Sequence, residues 1–230
     1  MGPSSRALLS SVAQGDFSNG AFPFGACREV MIAGAPVRAL RMSFVGELGW
    51  ELHIPSEYAT AVYDALFDNS QEWGLRDAGY RSLDSLRLEK GNRLWGVELS
   101  PDYNPFEAGL GRFVAINSNL EFIGRDALIR QKSSPLTRRL ISLTHDASSA
   151  RLLGGETILR NGQRVGWLSS GGYGHSIGQN IGLGYVRNAH GIDDEYLGSG
   201  KYELEVRNQI VPARLHLQAL YDPNNLKLRS

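Results

Sequence analysis
The chain has 230 residues and carries 24 Lys+Arg against 24 Asp+Glu, which suits one large domain or two small ones. That balance excludes the basic footprint of a nucleic-acid binder. The single cysteine, Cys27, excludes an intrachain disulfide and a Cys-based zinc site, and no apolar run reaches membrane-spanning length. Gly2-Pro3-Ser4-Ser5 reads as the cap of a short helix over Arg6 to Gln14, with Leu8, Leu9 and Val12 on one face. Arg28 to Ile32 and Val37 to Phe44 alternate as strands joined by the turn Ala33-Gly34-Ala35-Pro36. After Gly46 and Gly49 the strand-like piece Glu51 to Ile54 follows. Ser56 is expected to cap a helix whose Ala59, Val62, Tyr63, Leu66 and Phe67 form a core face. A second helix is expected from Ala78 to Lys90, stopped by Gly91. Residues 92–120 read as mostly irregular, with a strand at Phe113 to Ile116 and a helix at Gly124 to Lys132.

The composition changes after the linker Gln131-Lys132-Ser133-Ser134-Pro135. Beyond it the chain is strand after strand. Asn161-Gly162 marks a type I′ hairpin, and Ile181 to Arg187, Lys201 to Val206 and Val211 to Gln218 complete a small all-β unit of sandwich or barrel type. The expected organisation is an α+β region at 1–134 and a β domain at 135–230.

The stretch Gly46-Glu47-Leu48-Gly49-Trp50-Glu51-Leu52 admits two readings. It is a solvated turn with two surface glutamates. Alternatively, Glu51 lies among Phe44, Trp50 and Leu52 and needs donors, such as the N–H fork of an aminopyrimidine. Elsewhere the sequence is sparing. His53, His145, His175, His190 and His216 show no metal-binding pair. His175 follows glycines that read as a flexible surface loop. Cys27 reads as a small buried residue, and its usage fits a reducing compartment, bacterial cytoplasm or mitochondrial matrix. Gly182-Leu183-Gly184 lacks the third glycine of a dinucleotide site.

The run from Arg41 to Pro55 resembles the folate-binding signature of the aminomethyltransferase family, the T-protein of the glycine cleavage system. It is similar, more closely, to the C-terminal folate domain of sarcosine and dimethylglycine dehydrogenases. Gly2-Pro3-Ser4-Ser5-Arg6, Phe22-Pro23-Phe24-Gly25, Asp84 to Gly91 and Pro105 to Gly111 follow in the family's order, and Tyr221-Asp222-Pro223-Asn224-Asn225 resembles the sarcosine dehydrogenase tail. The resemblance implies a partial T-protein-like folate-binding fold followed by a β-barrel domain.

It also implies a function: one-carbon transfer from an N-methyl amine, such as sarcosine or dimethylglycine, to tetrahydrofolate. Glu51 takes the position of the pterin anchor and Phe44 that of a stacking aromatic. Trp50 and Trp95 are further wall candidates, and Arg87 occupies its family position. Leu83 stands where the family has an arginine, and Arg81, two residues earlier, does not share its helix face. No catalytic residue is assigned. The family's acid for the substrate amine lies upstream of the Gly-Pro-Ser-Ser-Arg segment, and Asp16 lies downstream of it. The isolated chain is therefore expected to be weak or inactive in turnover, and FAD to belong to a separate domain or chain. The alternative implied role is a non-catalytic folate-binding or flavoprotein-docking subunit. Asn92 after Lys90-Gly91 departs from the Lys-Gly-Cys of the iron–sulfur repair relatives.

Overall fold
The structure is a computed structural model that describes residues 1–68, 70–146 and 151–230. The chain packs as two compact units, Met1–Lys90 with Tyr221–Ser230, and Gly91–Leu220. The division falls earlier than the linker expected at 131–135, where Gln131 and Lys132 end a helix, and the last ten residues return to the first unit.

In the first unit, helix α1 (Ser5–Val12) leads into an antiparallel sheet ordered β1 (Ala13–Gln14), β2 (Cys27–Ile32), β3 (Ala35–Leu40), β4 (Glu51–His53). Its β2–β3 hairpin turns through Ala33 and Gly34, both at positive φ (49° and 76°), as a two-residue I′ turn requires. Helices α2 (Ala59–Asp68), α3 (Ser70–Trp73) and α4 (Tyr80–Lys90) follow. Strict alternation sends Ile32, Ala35, Val37 and Ala39 into a core with Leu9, Phe17, Phe22, Leu48, Trp50 and Val62. The opposite face carries Glu29, Met31, Pro36, Arg38 and His53, all exposed.

Four expectations are corrected here. Strand β3 ends at Leu40 rather than Phe44, because Arg41 turns inward to bond loop carbonyls. Ser56 makes no side-chain cap; a single 3₁₀ turn over Ser56–Tyr58 precedes α2, with Pro55 at the cap position. On α2 only Val62 is fully buried. Tyr63 and Phe67 stack on each other, 4.4 Å between ring centroids, while the Tyr63 hydroxyl donates to Asp77 at 3.0 Å. Cys27 is exposed, because it opens β2 on the outer face opposite Leu40.

The second unit holds helices α5 (Arg125–Lys132) and α6 (Asp194–Gly198) and six strands: β5 (Arg138–His145), β6 (Thr157–Arg160), β7 (Gln163–Gly174), β8 (Gln179–Arg187), β9 (Tyr202–Val206) and β10 (Gln209–His216). They close into a barrel in the order β10-β5-β8-β7-β6-β9, so closure rather than a sandwich removes the exposed edges. Leu143, Leu152, Ile158, Val186, Leu197 and Leu204 fill the interior. Asn161 and Gly162 sit at φ 53° and 77° in the β6–β7 hairpin, as their sequence anticipates. Gly171 to Gly174 are strand residues of β7, not a loop. Glycine is needed there because a Cβ on Gly171 would meet the Leu152 backbone at 2.7 Å. Phe113 to Ile116 is not a strand: Gly111–Phe113 is a 3₁₀ turn, and Val114 is extended but unpaired.

The irregular segment that opens this unit is fastened to the barrel by polar contacts. Tyr103 stacks flat on Tyr185 at 3.8 Å, the Tyr185 hydroxyl donates to the Glu98 carbonyl at 2.9 Å, and Arg138 pairs with Glu107 at 2.9 Å. The buried Glu98 carboxylate accepts from Ser170 and from the Leu94 amide at 2.9 Å. Burial, followed by the neighbouring Tyr103, holds the Tyr185 phenol far above its ordinary range.

The β7–β8 contact gives a direct test. A Cβ on Gly184 would come within 2.7 Å of the Leu168 Cα, a backbone atom that cannot swing aside. Gly184→Ala is expected to destabilise the barrel by about 1–3 kcal/mol, read as a lower urea midpoint. An unchanged midpoint would show that the strands separate freely there.

Candidate functional site
The signature loop, residues 41–50, is irregular backbone between β3 and β4. Its shape follows from a few contacts. Arg41, 1% exposed, donates through Nη1 to the Phe22 carbonyl at 2.7 Å and through Nη2 to the carbonyls of Arg229 and Ser230 at 3.1 and 2.7 Å. Its guanidinium lies 5.6 Å from the Trp50 ring centre. Burial, then the nearby Arg6 charge, lowers its pKa, and a guanidinium stays charged under such a shift. At the far end of the loop, the Leu48 carbonyl accepts from the Gly2 amide at 2.7 Å and from Ser5 Oγ at 2.9 Å. That contact explains the Gly-Pro-Ser-Ser-Arg segment as a brace for the signature. Gly46 is at φ 82°, and a Cβ there would strike Lys90 Cδ at 2.7 Å.

The two signature glutamates differ in their surroundings. Glu47 is held: the Tyr221 hydroxyl donates to its Oε1, and Lys227 Nζ is 3.9 Å away. Glu51 is half-buried at the start of β4 and has no hydrogen-bond or ion-pair partner among the described residues. The register pairs it with Leu40, while His53 pairs with Arg38, so Glu51 shares the outer face of the sheet with Arg38 and His53. It does not lie among Trp50 and Leu52, as the sequence suggests, because strand alternation turns those two toward the core.

The remaining candidates are dispersed. Phe44 is half-buried in the loop, within seven residues of Glu51. Trp50 is a core residue, 5% exposed, packed edge-on against Phe17 and Phe22 at 5.7 and 5.9 Å. Arg87 is buried on α4 and its Nε donates to Asp84 Oδ1 at 2.7 Å. Arg81 is exposed and Leu83 half-buried. Trp95 belongs to the second unit and is 74% exposed. A cleft of about 470 Å³ on the first unit is lined by Glu29, Arg38, His53, Ile54 and Pro55 among others. Among the described residues no group of three or more His, Cys, Asp or Glu could hold a metal ion, and no helix is long and apolar enough to cross a membrane.

Sequence reasoning missed the contribution of residues 221–230. Tyr221-Asp222 was visible as a family-like tail, but nothing local shows that its side chains reach Glu47 and Lys90. Lys90 Nζ donates to the Asp222 carbonyl at 2.6 Å and to its Oδ2 at 3.3 Å.

An α/β unit with this braced loop, together with a closed six-stranded barrel, defines a T-protein-like fold. Residues 1–118 match the GCVT N-terminal domain, and residues 138–222 match the glycine cleavage T-protein C-terminal barrel domain. The chain belongs to the glycine cleavage T-protein family. It is 42% identical over 230 residues to human mitochondrial sarcosine dehydrogenase, covering 99% of this chain and 25% of that protein. It is 40% identical over 185 residues to human mitochondrial dimethylglycine dehydrogenase, covering 80% of this chain and 21% of that protein. The crystal structure of glycine cleavage system aminomethyltransferase T from Bartonella henselae matches with a TM-score of 0.78 and 25% identity, over 95% of this chain and 57% of that one. The chain thus spans about a quarter or less of the two dehydrogenases. The resemblance and the fold class expected from the sequence both hold.

Two tests follow from the geometry. Trp50→Ala empties an aromatic core and is expected to cost about 3–5 kcal/mol, whereas Glu51→Gln breaks no contact and should stay within about 0.5 kcal/mol. Thermal unfolding of the two variants checks the contrast, and a large loss at Glu51 would reveal a structural partner.

The second test concerns Asp222. Burial alone would raise its pKa, but amide bonds from Leu228, Lys227 and Leu226, with Lys90, outweigh this and lower it from the usual 3.8. A carboxyl lowered on folding stabilises above its unfolded pKa, and the contribution fades as pH falls through the lower folded value. The stability gap between wild type and Asp222→Asn should therefore be full at pH 5–7 and shrink below about pH 3.8. A gap that does not change with pH, measured by urea denaturation, would contradict this assignment.

Proposed function
We propose that this chain is a tetrahydrofolate-binding module of the sarcosine and dimethylglycine dehydrogenase type, which serves one-carbon transfer from an N-methyl amine to folate. The observation that carries the reading is the contrast between the two signature glutamates. Glu47 is spent on Tyr221 and Lys227, while Glu51 presents a half-buried carboxylate without a partner among the described residues. Such a group gains most from a ligand that brings paired N–H donors, and the aminopyrimidine edge of a pterin does so. The acceptor that Glu51 offers therefore suits folate.

In this reading Glu51 accepts those N–H groups and orients the pterin. Phe44 offers a ring surface against it. Trp50 acts from behind, its core packing fixing the backbone from which Glu51 projects. Arg87, engaged with Asp84, frames helix α4. When bound, tetrahydrofolate supplies the nitrogen nucleophile that accepts the one-carbon unit. The chain's own contribution is proximity and orientation. Oxidation of the amine requires an electron acceptor, so the reading assigns that step to a flavin held by a separate domain or chain. It also carries a location in a reducing compartment, the bacterial cytoplasm or the mitochondrial matrix.

Calorimetric titration with tetrahydrofolate tests the anchor. Glu51→Ala and Glu51→Gln should each weaken binding by roughly 1.5–3 kcal/mol, the worth of hydrogen bonds to a charged group. Variants that bind as tightly as the unaltered chain would place the site elsewhere.

A further inference from the structure
An irregular loop of ten residues has many conformations, and holding one of them costs entropy that contacts must offset. In the signature loop, three of those contacts come from one distant segment, residues 221–230. Tyr221 donates to Glu47 Oε1, and Lys227 Nζ donates to the same Tyr221 oxygen at 2.5 Å. Asp222 receives Lys90 Nζ through both its carbonyl and its carboxylate, and it is the Lys90 stem that crowds Gly46. The carbonyls of Arg229 and Ser230 receive the buried Arg41 guanidinium. The segment is itself closed on Asp222, which accepts the Leu226 and Leu228 amides at 2.7 and 3.3 Å.

We infer that residues 221–230 are a positioning strap for the signature loop, with Tyr221 and Asp222 setting the loop geometry that presents Phe44 and Glu51 to folate. The inference rests on the folate reading of that site. Neither residue needs to touch the ligand. Tyr221 fixes Glu47, four residues before Glu51. Asp222 fixes Lys90, whose aliphatic stem supports Gly46. Two adjacent positions in the middle of the loop, Gly46 and Glu47, are thereby set through side-chain pairs more than 130 residues apart in sequence.

A segment that only seals the core would lower stability and folate affinity together. A strap acts locally. Amide hydrogen exchange on the full chain without folate separates the two, using Tyr221→Phe, which keeps the ring and removes the donor, and Asp222→Asn as a second variant. Exchange over residues 42–49 is expected to rise by about tenfold or more in each, while β2 and β3, in the core of the same unit, exchange as before. Titration with tetrahydrofolate should then show about fivefold weaker binding for Tyr221→Phe and for Glu47→Ala, which takes away the acceptor. The double variant should be no weaker than either single one, because both remove the same bond.

Unchanged exchange over 42–49 in both variants would overturn the strap. So would faster exchange across the whole chain, or fully additive losses in the double variant. Faster exchange confined to 42–49, in a chain whose unaltered form binds no tetrahydrofolate, would keep the strap as a loop-ordering device and overturn the folate reading instead.

Discussion
Arg41 is the residue on which the first unit turns. A guanidinium this deeply buried needs acceptors for its donors, and both Nη groups of Arg41 find them at the carbonyls of Phe22, Arg229 and Ser230, while its Nε has none among the described residues. The partners come from two different parts of the unit. Phe22 lies in the aromatic core with Phe17 and Trp50, and the other two close the tail. The backbone of Arg41 takes part as well: its amide donates to the Ala26 carbonyl at 2.9 Å, and its carbonyl accepts from the Gly25 amide at 2.8 Å. One side chain thus ends a strand, starts the loop, and fixes the tail against the aromatic cluster. Removing it would take the side-chain donor from the Phe22 and Arg229 carbonyls, while Ser230 keeps its bond from Arg6 at 2.6 Å, and losing buried bonds is costlier than losing an exposed ion pair.

The alternation of β4 then divides labour among neighbours in the signature. Trp50 and Leu52 go to the core, and Glu51 goes to the other face. Glu47, in irregular backbone, is free of that alternation and is captured by Tyr221. The outcome is one structural carboxylate and one available carboxylate four residues apart. Charge alone does not distinguish them, and neither does hydropathy. The distinction is made by which of them has a partner supplied from elsewhere in the chain.

Much of this was legible in the sequence, for physical reasons that differ by element. The Asn161-Gly162 hairpin was readable because positive φ at two successive positions leaves few residue choices. Helix α4 and its stop at Gly91, at φ 69°, were readable from local propensity and capping. Alternation located β2 and the last four residues of β3, Val37 to Leu40, although Ala35 and Pro36 read as turn and belong to the strand. What failed depended on distant partners. Phe113 to Ile116 alternates like a strand but finds no ladder, and Val37 to Phe44 is cut short by the inward turn of Arg41. The glycines before His175 read as a loop because the pattern cannot show that Leu152 presses against Gly171. Within the site, the motif pointed to Glu51. The fastening of Glu47 by Tyr221, across 174 positions, had no local signal.

The glycines of the signature carry the same lesson in reverse. Gly46 needs positive φ, which explains a glycine there on conformational grounds alone. Gly49 does not, yet a Cβ at that position would meet the Met1 Cα at 3.0 Å. Its role is close packing against the segment that precedes α1. Gly46 meets Lys90 in the same way from the other side. The spacing Gly-x-x-Gly therefore encodes two tight approaches, one by the end of α4 and one by the start of the chain, with Leu48 buried between them. A motif read as a ligand-binding signature is, residue for residue, mostly a packing code. Of the seven positions from Gly46 to Leu52, only Glu51 combines partial exposure with a charge that nothing among the described residues answers. That is why a substitution at Glu51 should report on ligand, and substitutions at its neighbours first on the loop that carries it.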